Sequence, residues 1–212
     1  MSRFTLLLGG DLVSTPLLAR QIADSRIIAA DSGIRHAAPL GVRPELWVGD
    51  FDSTPADLPA GLADVPQRRF PAEKDMTDGE LAVAAALERG ATSLVLAGAF
   101  GGARADHGFL HMALALRLAE AGTHTLLTSG AQEGVPLMPG RAGFDYAAGT
   151  LFSVLAFSGL SGLTVTGAKW PLHEVEVPFG SSLTLSNEVR GRLEIGLGRG
   201  RAMLLAHPLF PG

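Results

Sequence analysis

Short apolar runs alternate with stretches of helical period over the first two-thirds of the chain. Residues 4–8, 26–30, 46–48 and 93–97 are short, mostly apolar runs, the pattern of strands buried on both faces, and 123–128 reads as a further strand. Between them, residues 16–23, 34–40, 78–89 and 107–121 carry apolar positions at helical spacing. Strand and helix in alternation predict βαβ units and a mostly parallel sheet covered on both sides. Residues 131–149, rich in Gly, Pro and Ala, have no period and read as a linker. Beyond it, β-like runs at 151–157, 163–166, 174–177, 182–185, 193–197 and 202–205 are broken by glycine and predict a small antiparallel sandwich or barrel. The expected fold class is α/β. Residues 1–130 form the mostly parallel α/β domain, 131–149 the linker, and 150–212 a smaller C-terminal antiparallel β-sandwich or barrel.

Composition narrows the setting. The 212 residues are 47% hydrophobic and 18% charged, enough apolar material for a sizeable core. A net charge of -4 gives no electrostatic case for nucleic acid or an anionic membrane surface. The absence of cysteine excludes disulfides and thiolate metal sites and fits a reducing cytoplasm. The apolar run near Met1 is too short for a signal-peptide core or a membrane span.

In a parallel α/β sheet ligands bind beyond the carboxyl ends of the strands, and the polar motifs collect there. Asp31-Ser32-Gly33 follows the second run, Gly49-Asp50-Phe51-Asp52-Ser53 the third, and the glycine-rich stretch from Gly98 to His107 the fourth. In extended backbone Asp50 and Asp52 point to one side and Phe51 to the other. Two adjacent carboxylates repel unless a cation lies between them, and Mg²⁺ shared with substrate phosphates is the commonest remedy. The same residues also suit a solvated turn capped by Ser53. Lys74-Asp75-Met76-Thr77-Asp78-Gly79-Glu80 contains a capping box, Thr77 with Glu80. It leaves Asp78 to project from the helix start as a third metal carboxylate and Lys74 to meet a phosphate. Gly101 and Gly102 allow backbone amides close to phosphate, and Arg104 adds a forked cation. Asp106 also reads as a helix cap, and His107 as a packing or hydrogen-bonding residue. The loop is neither a P-loop nor a GxGxxG fingerprint. In the second part Trp170 suits either stacking on a cationic heterocycle or a place in the core; Ser186-Asn187-Glu188 also suits a turn.

Taken in order, Asp31-Ser32-Gly33, Gly49 to Ser53, Lys74 to Asp78, Gly101 to His107 and Ser186 to Glu188 resemble the motifs of the thiamine pyrophosphokinase family. The Gly167-to-Leu172 stretch matches the segment before the last of them, and the resemblance spans essentially the whole chain. Three departures stand out: Ser32 replaces a usual glycine, Arg35 a frequent asparagine, and Ala103 intrudes before Arg104. The resemblance implies transfer of the β,γ-pyrophosphoryl group of ATP to thiamine. It assigns Asp50, Asp52 and Asp78 to Mg²⁺, with any one of them also open to taking the hydroxyl proton. Lys74 and Arg104 steady the phosphates, with Asp106 orienting Arg104. Asp31, Gly33, Thr77, Gly101 and Gly102 face the nucleotide, while Trp170, Ser186 and Asn187 hold thiamine. It further implies a homodimer with thiamine between subunits. A pyrophosphokinase for another alcohol, such as a pterin, or a nucleotide-binding module without turnover, are the competing expectations.

Overall fold

The computed structural model describes residues 2–51, 59–71, 73, 75–102 and 104–209. Strands β1 (Arg3–Leu7), β2 (Arg26–Ala30), β3 (Leu46–Gly49), β4 (Gln67–Arg69), β5 (Ser93–Ala97) and β6 (His124–Thr128) pair in parallel in the order β6-β5-β1-β2-β3-β4. Three helices, α1 (Pro16–Ile22), α2 (Asp78–Glu88) and α3 (Ala105–Glu120), cover the sheet. Alternation along each strand sorts its residues between two faces. On one face Leu6, Ile28, Leu94 and Leu96 pack with Leu81 and Ala85 of α2 and Leu114 and Leu118 of α3. On the other, Leu7, Ile27, Ala29 and Trp47 pack with Ile34 and Ala37, and Val95 with Leu18 and Ile22 of α1.

The helix starts follow the sequence. Thr15 caps α1 by accepting from Leu18 N at 3.1 Å, with Pro16 in the first turn. Thr77 and Glu80 form the expected capping box on α2. Residues 34–40, expected as an α-helix, instead follow a 3₁₀ turn over Asp31–His36. Asp31 enters that turn at φ 42°, a left-handed backbone that a regular helix does not accommodate.

Residues 131–149 contain two strands, β7 (Glu133–Leu137) and β8 (Gly140–Phe144), where the texture suggested a structureless linker. β7 pairs antiparallel with β6 and carries the sheet onward. It is followed in space by β13 (Ala202–His207), β9 (Leu151–Ala156), and β12 (Asn187–Leu197). β12 then pairs with β8 and with β10 (Leu160–Ala168), which pairs with β11 (Leu172–Val177). Phe152, Val154 and Leu204 from one layer meet Leu163, Val165, Leu193 and Ile195 from the other, so this part is the expected sandwich, with β12 shared between layers. Residues 182–185, expected as a strand, form a turn.

Candidate active site

The chain leaves β1 for β2 on one side and β5 for β6 on the other, so the crevice between the carboxyl ends of β1 and β5 is a topological switch point. A cleft of about 380 Å³ opens there. Among the residues expected from sequence, Asp31, Thr77, Asp78, Gly101, Gly102 and Arg104 line it. Asp50 follows β3, the neighbour of β2. Asp52, Ser53, Lys74 and Ala103 lie outside the described residues.

Trp47 organises two of the acidic turns. Its ring is buried, its Nε1 donates to the Asp31 carbonyl at 2.8 Å, and Phe51 meets it edge-on with centroids 4.6 Å apart. Phe51 itself has φ 66°. The strand has ended at Gly49, so the extended alternation expected through residues 50–52 breaks at Phe51. What packs Phe51 is its ring, held between Trp47 and the Arg69 guanidinium 4.6 Å away.

The loops after β1 and β5 are laced together. Gly10 N donates to Gly98 O at 3.0 Å, Asp11 N to Phe100 O at 2.9 Å, and Gly102 N to Asp11 Oδ2 at 2.9 Å. Glycine is required at position 10, where a Cβ would run into the carbonyl oxygens of Gly98 and Phe100. The amide of Gly102, expected to face phosphate, is committed to Asp11. Gly33 is buried, and a Cβ there would strike the Leu7 carbonyl, so its small size lets the 3₁₀ turn cross β1.

Helix α3 begins at Ala105 with no side-chain cap, so Asp106 does not close the helix as a cap. Arg104 donates Nε and Nη2 to the two Asp106 oxygens at 3.0 and 2.6 Å. That fork holds the Asp106 carboxyl at about 2, below the ordinary carboxylate range. His111, one turn beyond His107, is buried in the cleft wall and its Nδ1 lies 3.0 Å from the Ala99 carbonyl. A carbonyl only accepts, so Nδ1 carries the proton. Burial pushes the imidazole pKa down and keeps it neutral.

Gly9, Gly10, Arg35 and His111 are among the cleft residues that were not singled out as site residues. The rule that exposed the other loops, polar or glycine residues directly after a strand, applies equally to Gly9-Gly10.

The residues expected to hold thiamine stand on the sandwich. Trp170 is 52% exposed, which removes the core-packing reading, and Lys169 Nζ lies 4.5 Å from its ring centroid. Asn187 is buried. Its Oδ1 accepts from Trp170 N at 3.1 Å and Glu188 N at 2.8 Å, and its Nδ2 donates to Trp170 O at 2.8 Å. Asn187 thus fixes the backbone that presents the indole. Ser186 sits at φ 59°, its amide donating to Ser153 Oγ at 3.0 Å.

Sheet order and cleft together define a class: α/β proteins with a polar cleft at the switch point of a parallel sheet, extended at one edge by a β-sandwich. A family model for the thiamin pyrophosphokinase catalytic domain matches residues 20–127, and one for the thiamin pyrophosphokinase vitamin B1 binding domain matches residues 143–200. The thiamine pyrophosphokinase of Bacillus subtilis (strain 168) is 29% identical, with 76% of this chain and 77% of that protein aligned. A crystal structure of thiamine pyrophosphokinase from Bacillus subtilis superposes with a TM-score of 0.82 at 26% identity, covering 99% of this chain and 100% of that one. The thiamin pyrophosphokinase structure from Geobacillus thermodenitrificans gives 0.80 at 28% identity, covering 99% and 98%. The chain belongs to the thiamin pyrophosphokinase family.

Proposed function

We propose that this protein is a thiamine pyrophosphokinase, transferring the β,γ-pyrophosphoryl group of ATP to the hydroxyethyl oxygen of thiamine and releasing AMP. The observation that carries the reading is the ordered match of the catalytic and vitamin-B1-binding family domains to the part holding the cleft and the part holding Trp170. Residues 1–130 serve ATP and residues 150–212 serve thiamine. The oxygen of the thiamine hydroxyl bonds to the β-phosphorus, the bond from that phosphorus to the bridging oxygen breaks, and AMP leaves with the electron pair. The hydroxyl proton passes to one of Asp50, Asp52 and Asp78. Arg104, oriented by Asp106, and Lys74 hold the phosphates in line, since positioning and charge neutralisation are what this chemistry asks of a protein. Trp170 offers an exposed ring to the cationic thiamine.

Among the described residues no three His, Cys, Asp or Glu side chains form a metal-binding group. The donor set still suits Mg²⁺, which takes one or two carboxylates and completes its shell with substrate phosphates. Asp50 and Asp78 supply hard oxygen ligands, with Asp52 as the third. Bound there, Mg²⁺ would neutralise charge on the pyrophosphoryl group. No helix among the described residues is long and apolar enough to cross a membrane. We assign the enzyme to the cytoplasm on its cysteine-free composition, which fits a reducing compartment. Exposed Phe179, Leu183 and Leu185 on the sandwich support a homodimer in which thiamine lies between subunits. The test is an assay with ATP, Mg²⁺ and thiamine that separates AMP from ADP. AMP formed in proportion to thiamine diphosphate is expected. AMP formed only with a hydroxymethylpterin, or ATP binding without AMP, overturns the reading.

A further inference from the structure

The charge balance of the cleft singles out a residue with no role so far. Among the described residues two guanidinium groups line it, Arg104 and Arg35. Arg104 is committed to a carboxylate through the fork to Asp106. Arg35 Nη2 instead donates to two neutral acceptors, the carbonyls of Gly9 at 2.5 Å and Gly10 at 3.2 Å. Among the described residues no carboxylate pairs with it. Its guanidinium is therefore not held in an ion pair, and its other nitrogens remain available to a ligand.

The surrounding groups define what that ligand is. Backbone amides at the switch point are largely spent: those of Gly10, Asp11 and Gly102 all bond within the two loops. The loop therefore offers an anion few free donors, and positive charge has to come from side chains. His36 does not supply it. Its Nε2 lies 3.0 Å from the Gly10 carbonyl, to which it donates, and burial followed by the nearby Arg35 charge pushes its pKa down. Among the described residues Arg35 is thus the one cation held over the β1 loop, where two carbonyls fix it. A preorganised guanidinium beside a glycine loop at a switch point matches a phosphate oxygen pair better than any neutral group.

We propose that Arg35 binds a phosphate group of the nucleotide. The assignment to a nucleotide rests on the pyrophosphokinase reading; the anion contact itself does not.

Calorimetry on the full-length protein tests it, with AMP, adenosine and thiamine diphosphate as separate ligands and two salt concentrations. For Arg35→Gln, AMP binding weakens roughly tenfold or more, as loss of a charged hydrogen bond predicts. Adenosine affinity stays unchanged, and the salt dependence of AMP binding shrinks. Arg35→Lys keeps the charge and recovers part of the loss, which separates the contact from simple support of the loop. Unchanged AMP affinity in Arg35→Gln overturns the proposal. So does equal weakening of AMP and adenosine, which assigns Arg35 to the base or to loop packing, and so does weakening confined to thiamine diphosphate. A wild-type protein that binds AMP through Arg35 yet forms no thiamine diphosphate would defeat the pyrophosphokinase reading and leave this contact standing.

Discussion

The two halves of the molecule solve opposite problems. The parallel sheet is covered on both faces and turns its polar residues to one edge, where loops from β1, β2 and β5 and the first turn of α2 close a cleft within a single chain. The sandwich buries its interior as thoroughly but leaves Trp170, Phe179 and Leu183 at 52%, 72% and 57% exposure on its surface. Large apolar side chains exposed to water offer a surface for a partner or ligand. The nucleotide half is thus legible in one chain, whereas the proposed thiamine half needs something laid against it.

The largest effect that tests this division is in the cleft. Asp78→Asn removes a carboxylate from the start of α2 while leaving the Thr77 cap in place, and we expect AMP release to fall by about 10²–10³-fold. Far-ultraviolet circular dichroism should be unchanged, because the capping box survives. Near-normal turnover would mean that the switch-point cleft is not the reacting centre. Next comes the sandwich surface. Phe179→Asp with Leu183→Asp should raise the dissociation constant of the proposed dimer by roughly thirtyfold or more, as loss of a central apolar contact predicts, read by sedimentation. Thiamine turnover should fall with it while AMP binding persists. A variant that stays dimeric removes this face from the interface. Trp170→Ala should raise the KM for thiamine by about tenfold, the scale of a desolvated cation–π contact, and leave the KM for ATP alone. Equal effects on both substrates would undo the separation of the two halves.

What sequence revealed differs between the halves for the same physical reason. β1, β2, β3 and β5 announce themselves because burial on both faces demands apolar runs. β4 is a wholly exposed edge strand, and Gln67-Arg68-Arg69 carries no such signal. β8 is glycine-rich and exposed; its conformation comes from pairing with β12, a partner far along the chain. Leu183 and Leu185 look like strand residues, but their hydrophobicity belongs to a surface, not a core. At the site, Asp31 and Arg104 follow from the rule about strand ends, and Asp78 from the capping-box motif at a helix start. Arg35 and His111 do not, because Arg35 enters the cleft only once β2 is known to lie beside β1, and His111 only once β5 is. Asn187 was legible as a motif, yet its work of fixing the Trp170 backbone needed coordinates.

The smallest expected effect separates the halves by acidity. His36 and His111 both stand behind the laced loops, bonded to the Gly10 and Ala99 carbonyls, and burial lowers both pKa values from the ordinary 6.5. His173 and His207, on the sandwich, are exposed. A histidine whose folded-state pKa is depressed adds nothing to the pH dependence above about 6.5, where both states are neutral. Below that value the unfolded chain binds protons that the folded one refuses. Stability is therefore lost as pH falls from 6.5 toward the folded-state values, by about 1.4 kcal/mol for each unit of depression. Because both groups brace the carboxyl ends of β1 and β5, amide exchange there should quicken in mild acid before exchange in β10 and β12. His111→Asn, which can still donate to the Ala99 carbonyl but does not titrate, should flatten that response. Acid-induced exchange that begins in β10 and β12 instead would place the pH-sensitive element in the sandwich and reverse the contrast between the two halves.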